Sequence, residues 1–557
     1  MTDLPRTQYA VQLVGPDELI LNKTKDVPVP GRHQILCRVE AVGLCFSDLK
    51  LLKQFSSHVR KSEVVSGIDL DILKEISSYV PGEAATVPGH EAVVRIEAVG
   101  PGVEDFTPGQ RFLVQTDYRW VRTATSNGAL GYNFEGALAE FVLMDKRIMT
   151  SPEGESMLLA ASEELSGSAV ALVEPWACVE DAYVSTERTT LKAGGQMLLV
   201  SDVPLSGDEI VYLCAKYGAP ARITQIAVTP QAVGKLQVPV VEVSEISKLE
   251  DAAFDDVIYF GSNPETVEAL FAKVALNGLF NIALCGGRFG QDVVTMVGRV
   301  HYGGIRIIGT TGSDPAESME TIPETDEIRP GDKINVIGAG GPMGMMHVIR
   351  NICHGVEGVS VFASDLDDGR LAALTRIAAP LAEKNGVEYR PYNPTKQETE
   401  DAFDYAAIMA PISALVAACV HGAAERGLIN IFAGIPATVS GEIDLDAYID
   451  KKLYFIGTSG STLDDMKQML AKAESGRLDT NVSVAAVAGF EGATEGIRAV
   501  ESRSIAGKTI VYPACRDLGL VPLEEMAEKM PQVAKCLNDG LWTKQAEQKL
   551  LEMYQDS

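Results

Sequence analysis

Three side chains that bind divalent metals occur beside short glycine motifs. Cys45 lies in AVGLCFSDLK, residues 41–50, and His90 and Glu91 lie in VPGHEAVV. A thiolate, an imidazole and a carboxylate, with one position left for water or substrate, form the donor set of a catalytic zinc ion; structural zinc is closed by four protein ligands. Glu174, in VEPWACVEDAY, offers a further oxygen. Singly, each has an ordinary explanation, since a lone cysteine is among the most buried residue types and a Gly-His-Glu triplet is usually a loop. Their association is what points to metal.

A second group of residues suits a different ligand. INVIGAGGPMG follows an apolar strand pattern and opens a helix. Gly338, Gly340, Gly341 and Gly344 permit a tight turn and bring backbone N–H groups close to a pyrophosphate, and the helix N-terminus adds favourable partial charge. Asp365 ends the next strand, VFASDLDD, 27 residues after Gly338. A carboxylate there hydrogen-bonds an adenosine ribose diol and repels a 2′-phosphate, which favours NAD over NADP. The spacing Gly-x-Gly-Gly-x-x-Gly has one residue more than the usual fingerprint, so it leaves open which glycine does which job. An upstream stretch of similar layout, LLVSDVPLSGDEIVYL, carries Asp202, Pro204 and Asp208 instead. Carboxylates repel a pyrophosphate and proline donates no hydrogen bond, so this turn is expected to bind no dinucleotide.

The elements that must position these residues fall into distinct stretches. Residues 1 to about 150 read as short strands, such as HQILCRVEAVGLC and AVVRIEAVG, punctuated by Gly and Pro. Leu49–Val87 interrupts them with the helical-looking segment SGIDLDILKEISSYV. From about Glu174, strands and helices alternate, through QMLLVSD, ITQIAVTP, FDDVIYFGS, FNIALCGG and GGIRIIGTTGS. Alternation of this kind favours a parallel sheet flanked by helices. The order then repeats: FDYAAIMAPISALVAACV parallels FDDVIYFGSNPETVEALF, and KKLYFIGTSGS parallels GGIRIIGTTGS. Two copies of one α/β unit, about 191–328 and 331–490, account for this. GKTIVYPACRDLG reads as a strand rejoining the first module, and residues 516–557 as a helical tail. His301 and Tyr302, in GRVHYGG, read as an exposed loop.

Composition narrows the function classes. The 557 residues carry a formal net charge of −28, which repels phosphate backbones and anionic lipid and argues against nucleic-acid and membrane partners. It also disfavours anionic substrates unless a local basic patch overrides it. Nine scattered cysteines, none in a Cys-x-x-Cys pair, suit a reducing cytoplasm rather than a disulfide framework. No apolar run approaches the roughly 20 residues of a membrane helix.

GLCFSDLK, VPGHEAVVRIEAVGPGVEDFTPGQRF, NFEGALAEFVLM and EPWACVEDAY together resemble the zinc-dependent medium-chain dehydrogenases, nearest the sorbitol and polyol dehydrogenase branch. The resemblance implies an α/β fold class: a GroES-like β catalytic module, 1–190 completed by about 491–515, with Rossmann domains at 191–328 and 331–490, each a doubly wound parallel sheet. It implies that Cys45, His90 and Glu91 surround one catalytic zinc, with Glu174 at or just outside that shell. Ser47 matches the hydroxyl that relays the alcohol proton, and Asp48 the carboxylate that orients the site. The implied reaction moves a hydride between NAD(H) and a polyol, sugar or sugar phosphate, in a protein compatible with a homo-oligomer. The chain departs from the family in its long Cys45–His90 segment, in lacking the four-cysteine structural zinc lobe, and in its second α/β unit. Two other readings stand beside the dehydrogenase: a lyase or epimerase that reduces and reoxidises a bound NAD, and a non-catalytic dinucleotide-binding protein.

Overall fold

The computed structural model describes residues 4–554 except 206, 227–235, 398, 400, 401, 459 and 503. The chain divides into two compact units, residues 1–178 with 461–557, and residues 179–460.

The first unit is built on an eight-stranded sheet. Its order is Leu158–Ala160, Arg111–Val114, Glu91–Val99, Gln34–Gly43, Lys508–Val511, Val484–Ala488 and Val521–Pro522, with Phe141–Asp145 also paired to Gln34–Gly43. Gln34–Gly43 is central and almost wholly buried, as its run of apolar residues requires. The strand read in GKTIVYP, Lys508–Val511, pairs antiparallel with it, Ile510 opposite Gly43. The core beneath the sheet gathers Val39, Val42, Val94, Val114, Ile497 and Val511.

Three local expectations are corrected here. The segment 461–490, assigned from the sequence to the second α/β copy, belongs to this unit: Val484–Ala488 runs parallel to Lys508–Val511. An apolar run such as VAAVA suits any parallel strand, and only its partner decides where it sits. In the Leu49–Val87 segment, helix is confined to the end of Phe46–Gln54, to Leu70–Leu73 and to short 3-10 turns. Val64–Ser66 instead pairs with Asp117–Thr123, and the Val80 N–H bonds to the Asn133 carbonyl, so tertiary pairing overrides local helical preference. The C-terminal tail is integrated: Glu547 of helix Lys544–Tyr554 accepts the N–H groups of Gly167 (2.5 Å) and Ser168 (2.8 Å) and the Tyr512 hydroxyl (2.8 Å). Those two amides open helix Gly167–Ala171 and have no acceptor within it.

The second unit holds two six-stranded parallel sheets. One runs Val240–Glu242, Arg222–Ile226, Gln196–Ser201, Phe254–Phe260, Val274–Ala283, Arg306–Thr310. The other runs Glu388–Tyr392, Ser360–Ser364, Lys333–Ile337, Phe403–Ile408, Ala423–Asn430, Tyr454–Ile456. In both, the first strand in sequence lies centrally and the order reverses beside it, the doubly wound arrangement that leaves a crevice at the strand carboxyl ends. The far end of ITQIAVTP lies outside the described residues. His301 and Tyr302 sit on the short helix Gly298–Gly303 rather than in a loop; His301 is buried, its Nδ1 3.1 Å from the Ile431 carbonyl oxygen, while Tyr302 is exposed. Among the described residues, no helix is long and apolar enough to cross a membrane.

Candidate functional site

Strand register assembles the candidate metal residues. Gly43, at the end of its strand, lies opposite Glu91, at the start of the next. Cys45 therefore leaves the sheet where His90 and Glu91 enter it. One ligand atom from each of Cys45, His90 and Glu91 lies within 4.8 Å of the other two. Cys45 caps helix Phe46–Gln54, which returns Ser47 and Asp48 to the cluster, and the Cys45 thiol lies 3.4 Å from the Ser47 hydroxyl.

Asp48 is buried and organises its neighbours. Its carboxylate accepts the N–H groups of Cys45 (2.9 Å) and Gly89 (3.2 Å), and one oxygen lies 3.3 Å from His90 Nδ1. Burial alone would raise its pKa; the charge and hydrogen bond of His90 and the two amides lower it instead. Glu174, on helix Val173–Val184, stands outside the three-residue group. Burial pushes its carboxyl up to about 7, with Glu91 adding to the effect and His90 and Lys508 opposing it.

Sequence reasoning missed two residues. Lys508 opens the returning strand, is buried, and donates its ammonium hydrogen to Glu91. Burial works against that charge, but Glu91, Cys45 and Glu174 outweigh it and hold the pKa above its ordinary value. The only signal was a lysine heading an apolar run in GKTIVYP. Tyr132 packs its ring 5.6 Å from that of His90 and 5.1 Å from that of His58, with the Arg60 guanidinium 5.5 Å from its centre. His58 and Arg60 belong to the long segment between Cys45 and His90, so that segment reaches the cluster through one aromatic ring. Arg60 is itself engaged by Asp117 at 2.7 Å.

The glycine turn lies in the second unit. Gly338 follows strand Lys333–Ile337 with φ +83°, a left-handed conformation that favours glycine. Gly340 donates its N–H to Asp365 Oδ2 at 2.9 Å, and a Cβ on it would lie 2.5 Å from Arg370 Cβ. A Cβ on Gly344, within helix Pro342–Cys353, would lie 2.3 Å from the Gly338 carbonyl oxygen. Gly341 differs: the nearest atom to a Cβ there would be 3.8 Å away. The fold therefore needs Gly338, Gly340 and Gly344, and leaves Gly341 free of any steric demand. Pro342 occupies the first helical position, where a missing N–H costs nothing. In the upstream turn, the Tyr259 hydroxyl donates to Asp202 at 2.5 Å and accepts the Asn263 N–H at 2.9 Å, so the strand end is closed by its own side chains.

The alcohol dehydrogenase GroES-like domain model matches residues 31–153. The chain is 27% identical over 248 residues to the uncharacterized protein YggP of Escherichia coli strain K12, covering 41% of this chain and 58% of that one. It is 24% identical over 249 residues to mannitol-1-phosphate 5-dehydrogenase of Aliivibrio fischeri, again 41% and 58%. The chain thus spans little more than half the length of these relatives. The 2R,3R-butanediol dehydrogenase structure from Bacillus subtilis superposes with a TM-score of 0.50 at 14% identity, over 91% of this chain and all of that one, a likeness of fold. The chain thus carries an alcohol dehydrogenase GroES-like domain at residues 31–153, and its strand-end cluster and doubly wound sheets are similar to those of the medium-chain dehydrogenases/reductases.

Proposed function

We propose that this protein is a zinc- and NAD-dependent oxidoreductase that moves a hydride between NAD(H) and a hydroxyl or carbonyl of a polyol, sugar or sugar phosphate. The observation that carries the reading is the convergence of Cys45, His90 and Glu91 donors within 4.8 Å at the end of one sheet. These residues fit a zinc ion: thiolate, imidazole and carboxylate are its usual ligands, and Glu91 Oε2 is buried with no hydrogen-bond partner. Such an orphaned oxygen is costly without a cation to meet it. Glu174 would stand next to this group. The turn with Gly338, Gly340, Gly341 and Gly344 fits a pyrophosphate, with Asp365 at the ribose.

Bound at these residues, zinc would supply Lewis-acid polarisation of the substrate oxygen and NAD the hydride chemistry. The chain's own residues do the rest. Asp48 holds the His90 ring in one orientation, as carboxylate partners of metal-bound histidines do. Ser47 Oγ, 3.4 Å from the Cys45 thiol, would accept the substrate hydroxyl proton and pass it outward. Lys508 balances the Glu91 charge. The phosphorylated polyol named for the Aliivibrio relative brings sugar phosphates into the substrate class.

The test is metal analysis of the purified protein with NAD and NADP titrations, on wild type and Gly340→Asp, followed by turnover with mannitol 1-phosphate, mannitol and sorbitol. The expected result is roughly one zinc per chain, NAD binding that the substitution abolishes, and NADH released during turnover. Protein without zinc, or NAD binding indifferent to Gly340→Asp, would refute the reading.

A further inference from the structure

The two doubly wound sheets meet by equivalent parts. In the aligned segments RIIGTTGS and YFIGTSGS, Gly309 corresponds to Gly457. Counting back from these glycines without a gap, Val294 corresponds to Glu442, His301 to Ile449 and Arg306 to Tyr454. Val293–Thr295 and Gly441–Ile443 form a two-stranded antiparallel ribbon in which Val294 faces Glu442, its own counterpart. A strand that pairs with its equivalent about their shared midpoint marks a local twofold axis.

The remaining contacts obey the same axis. Helix Leu445–Asp450 lies on strand Arg306–Thr310, and helix Gly298–Gly303 lies on strand Tyr454–Ile456. A Cβ on Gly309 would meet the Ile449 side chain at 2.7 Å, and one on Gly457 would meet His301 Cα at 3.0 Å. These are the same contact made in both directions. Arg306 and Tyr454, again equivalents, both donate to the Glu187 carboxylate, Arg306 Nε at 2.8 Å and Tyr454 Oη at 2.7 Å. Both copies feed one apolar cluster, in which Val297, Ile305 and Ile307 of one mix with Leu445, Tyr448 and Phe455 of the other. Reciprocal, self-complementary and apolar contact describes an isologous interface of the obligate kind.

We infer that the first α/β copy is a tethered stand-in for a second subunit: it occupies, within the same chain, the sheet edge through which the second α/β copy would otherwise pair with another chain. Its turn, closed by Tyr259 and Asp202, can lose the nucleotide without loss to this role. The inference is independent of the proposed chemistry and needs neither metal nor cofactor.

The experiment is oxidation of the full-length Val294→Cys/Glu442→Cys variant over a range of protein concentrations, with disulfides mapped by peptide mass spectrometry against wild type. Directly opposed strand positions are within bridging distance. The expected result is a disulfide between positions 294 and 442 of one chain at every concentration. A bond between two chains, in a fraction that rises with concentration, would overturn the inference, as would two thiols that stay free. If the variant fails to fold, hydrogen exchange on wild type decides. Protection of the amides in 293–295 and 441–443 that survives dilution supports pairing in one chain, and protection lost on dilution overturns it.

Discussion

The Lys508 ammonium lies buried against the Glu91 carboxylate, joining the returning strand to the start of the strand that carries a candidate metal ligand. Removing one partner of a buried pair leaves an uncompensated charge and costs about 3–5 kcal/mol. Lys508→Met should therefore destabilise the metal-free protein by roughly that amount. Lys508→Met/Glu91→Gln should recover most of the loss. Urea unfolding of the metal-free single and double variants measures both.

Asp48 acts on His90 through one carboxylate oxygen while two amides hold the carboxylate in place. Asp48→Asn keeps the shape and weakens that orientation. Zinc affinity should fall about 10–100-fold, the usual effect of losing such a partner. Competition with a chelator of known affinity at neutral pH reads the change.

Gly341 is a glycine that the fold does not require. Gly341→Ala should leave unfolding stability within about 0.5 kcal/mol of wild type while weakening NAD, since an added methyl group would stand where the pyrophosphate approaches the backbone. Gly340→Ala forces a methyl group against Arg370 and should cost about 1–3 kcal/mol of stability as well as cofactor. Paired denaturation and NAD titrations separate the two glycines.

Asp326 is fully buried beside Glu187, and burial, reinforced by that neighbouring charge, pushes its carboxyl up to about 9. The folded chain keeps a proton there that the unfolded chain releases near 3.8, the ordinary value. Folding stability from this group is thus fully present below that value and declines as pH rises towards 9. Asp326→Asn removes the penalty: it should stabilise the protein by roughly 1–3 kcal/mol at neutral pH, with little gain near pH 4. Thermal midpoints across that range test the slope.

Much of this architecture was legible in the sequence because it depends on local pattern. Alternating strands and helices, and the repeated order of FDDVIYF and FDYAAIM, reveal parallel sheets without knowledge of contacts. Cys45, His90 and Glu91 stand out because their motifs are short and compositionally distinct. What escaped notice depends on pairing across long sequence separations. Lys508 looks like any lysine heading a strand until Ile510 is placed opposite Gly43. VAAVA could extend either sheet, and SGIDLDILKEISSYV has a helical rhythm that bonding to Asn133 and Phe134 overrides. Which glycines the turn needs became clear only from the positions of Arg370 and Asp365.

The returning strand also has a consequence in time. Lys508 lies 417 residues after Glu91, so at 5–20 residues per second a ribosome needs roughly 20–80 s to deliver it. Through that interval the carboxylate has no Lys508 beside it and the sheet is missing Lys508–Val511, the strand that borders Gln34–Gly43 on one side. Glu91 must wait for a lysine made 417 residues later. A chain truncated before residue 508 would therefore lack the charge balance at its cluster as well as the strand that joins Gln34–Gly43 to Val484–Ala488, and would offer unpaired sheet edge to chaperones and proteases. Synthesis of the returning strand thus acts as a checkpoint on the site, enforced by strand order alone.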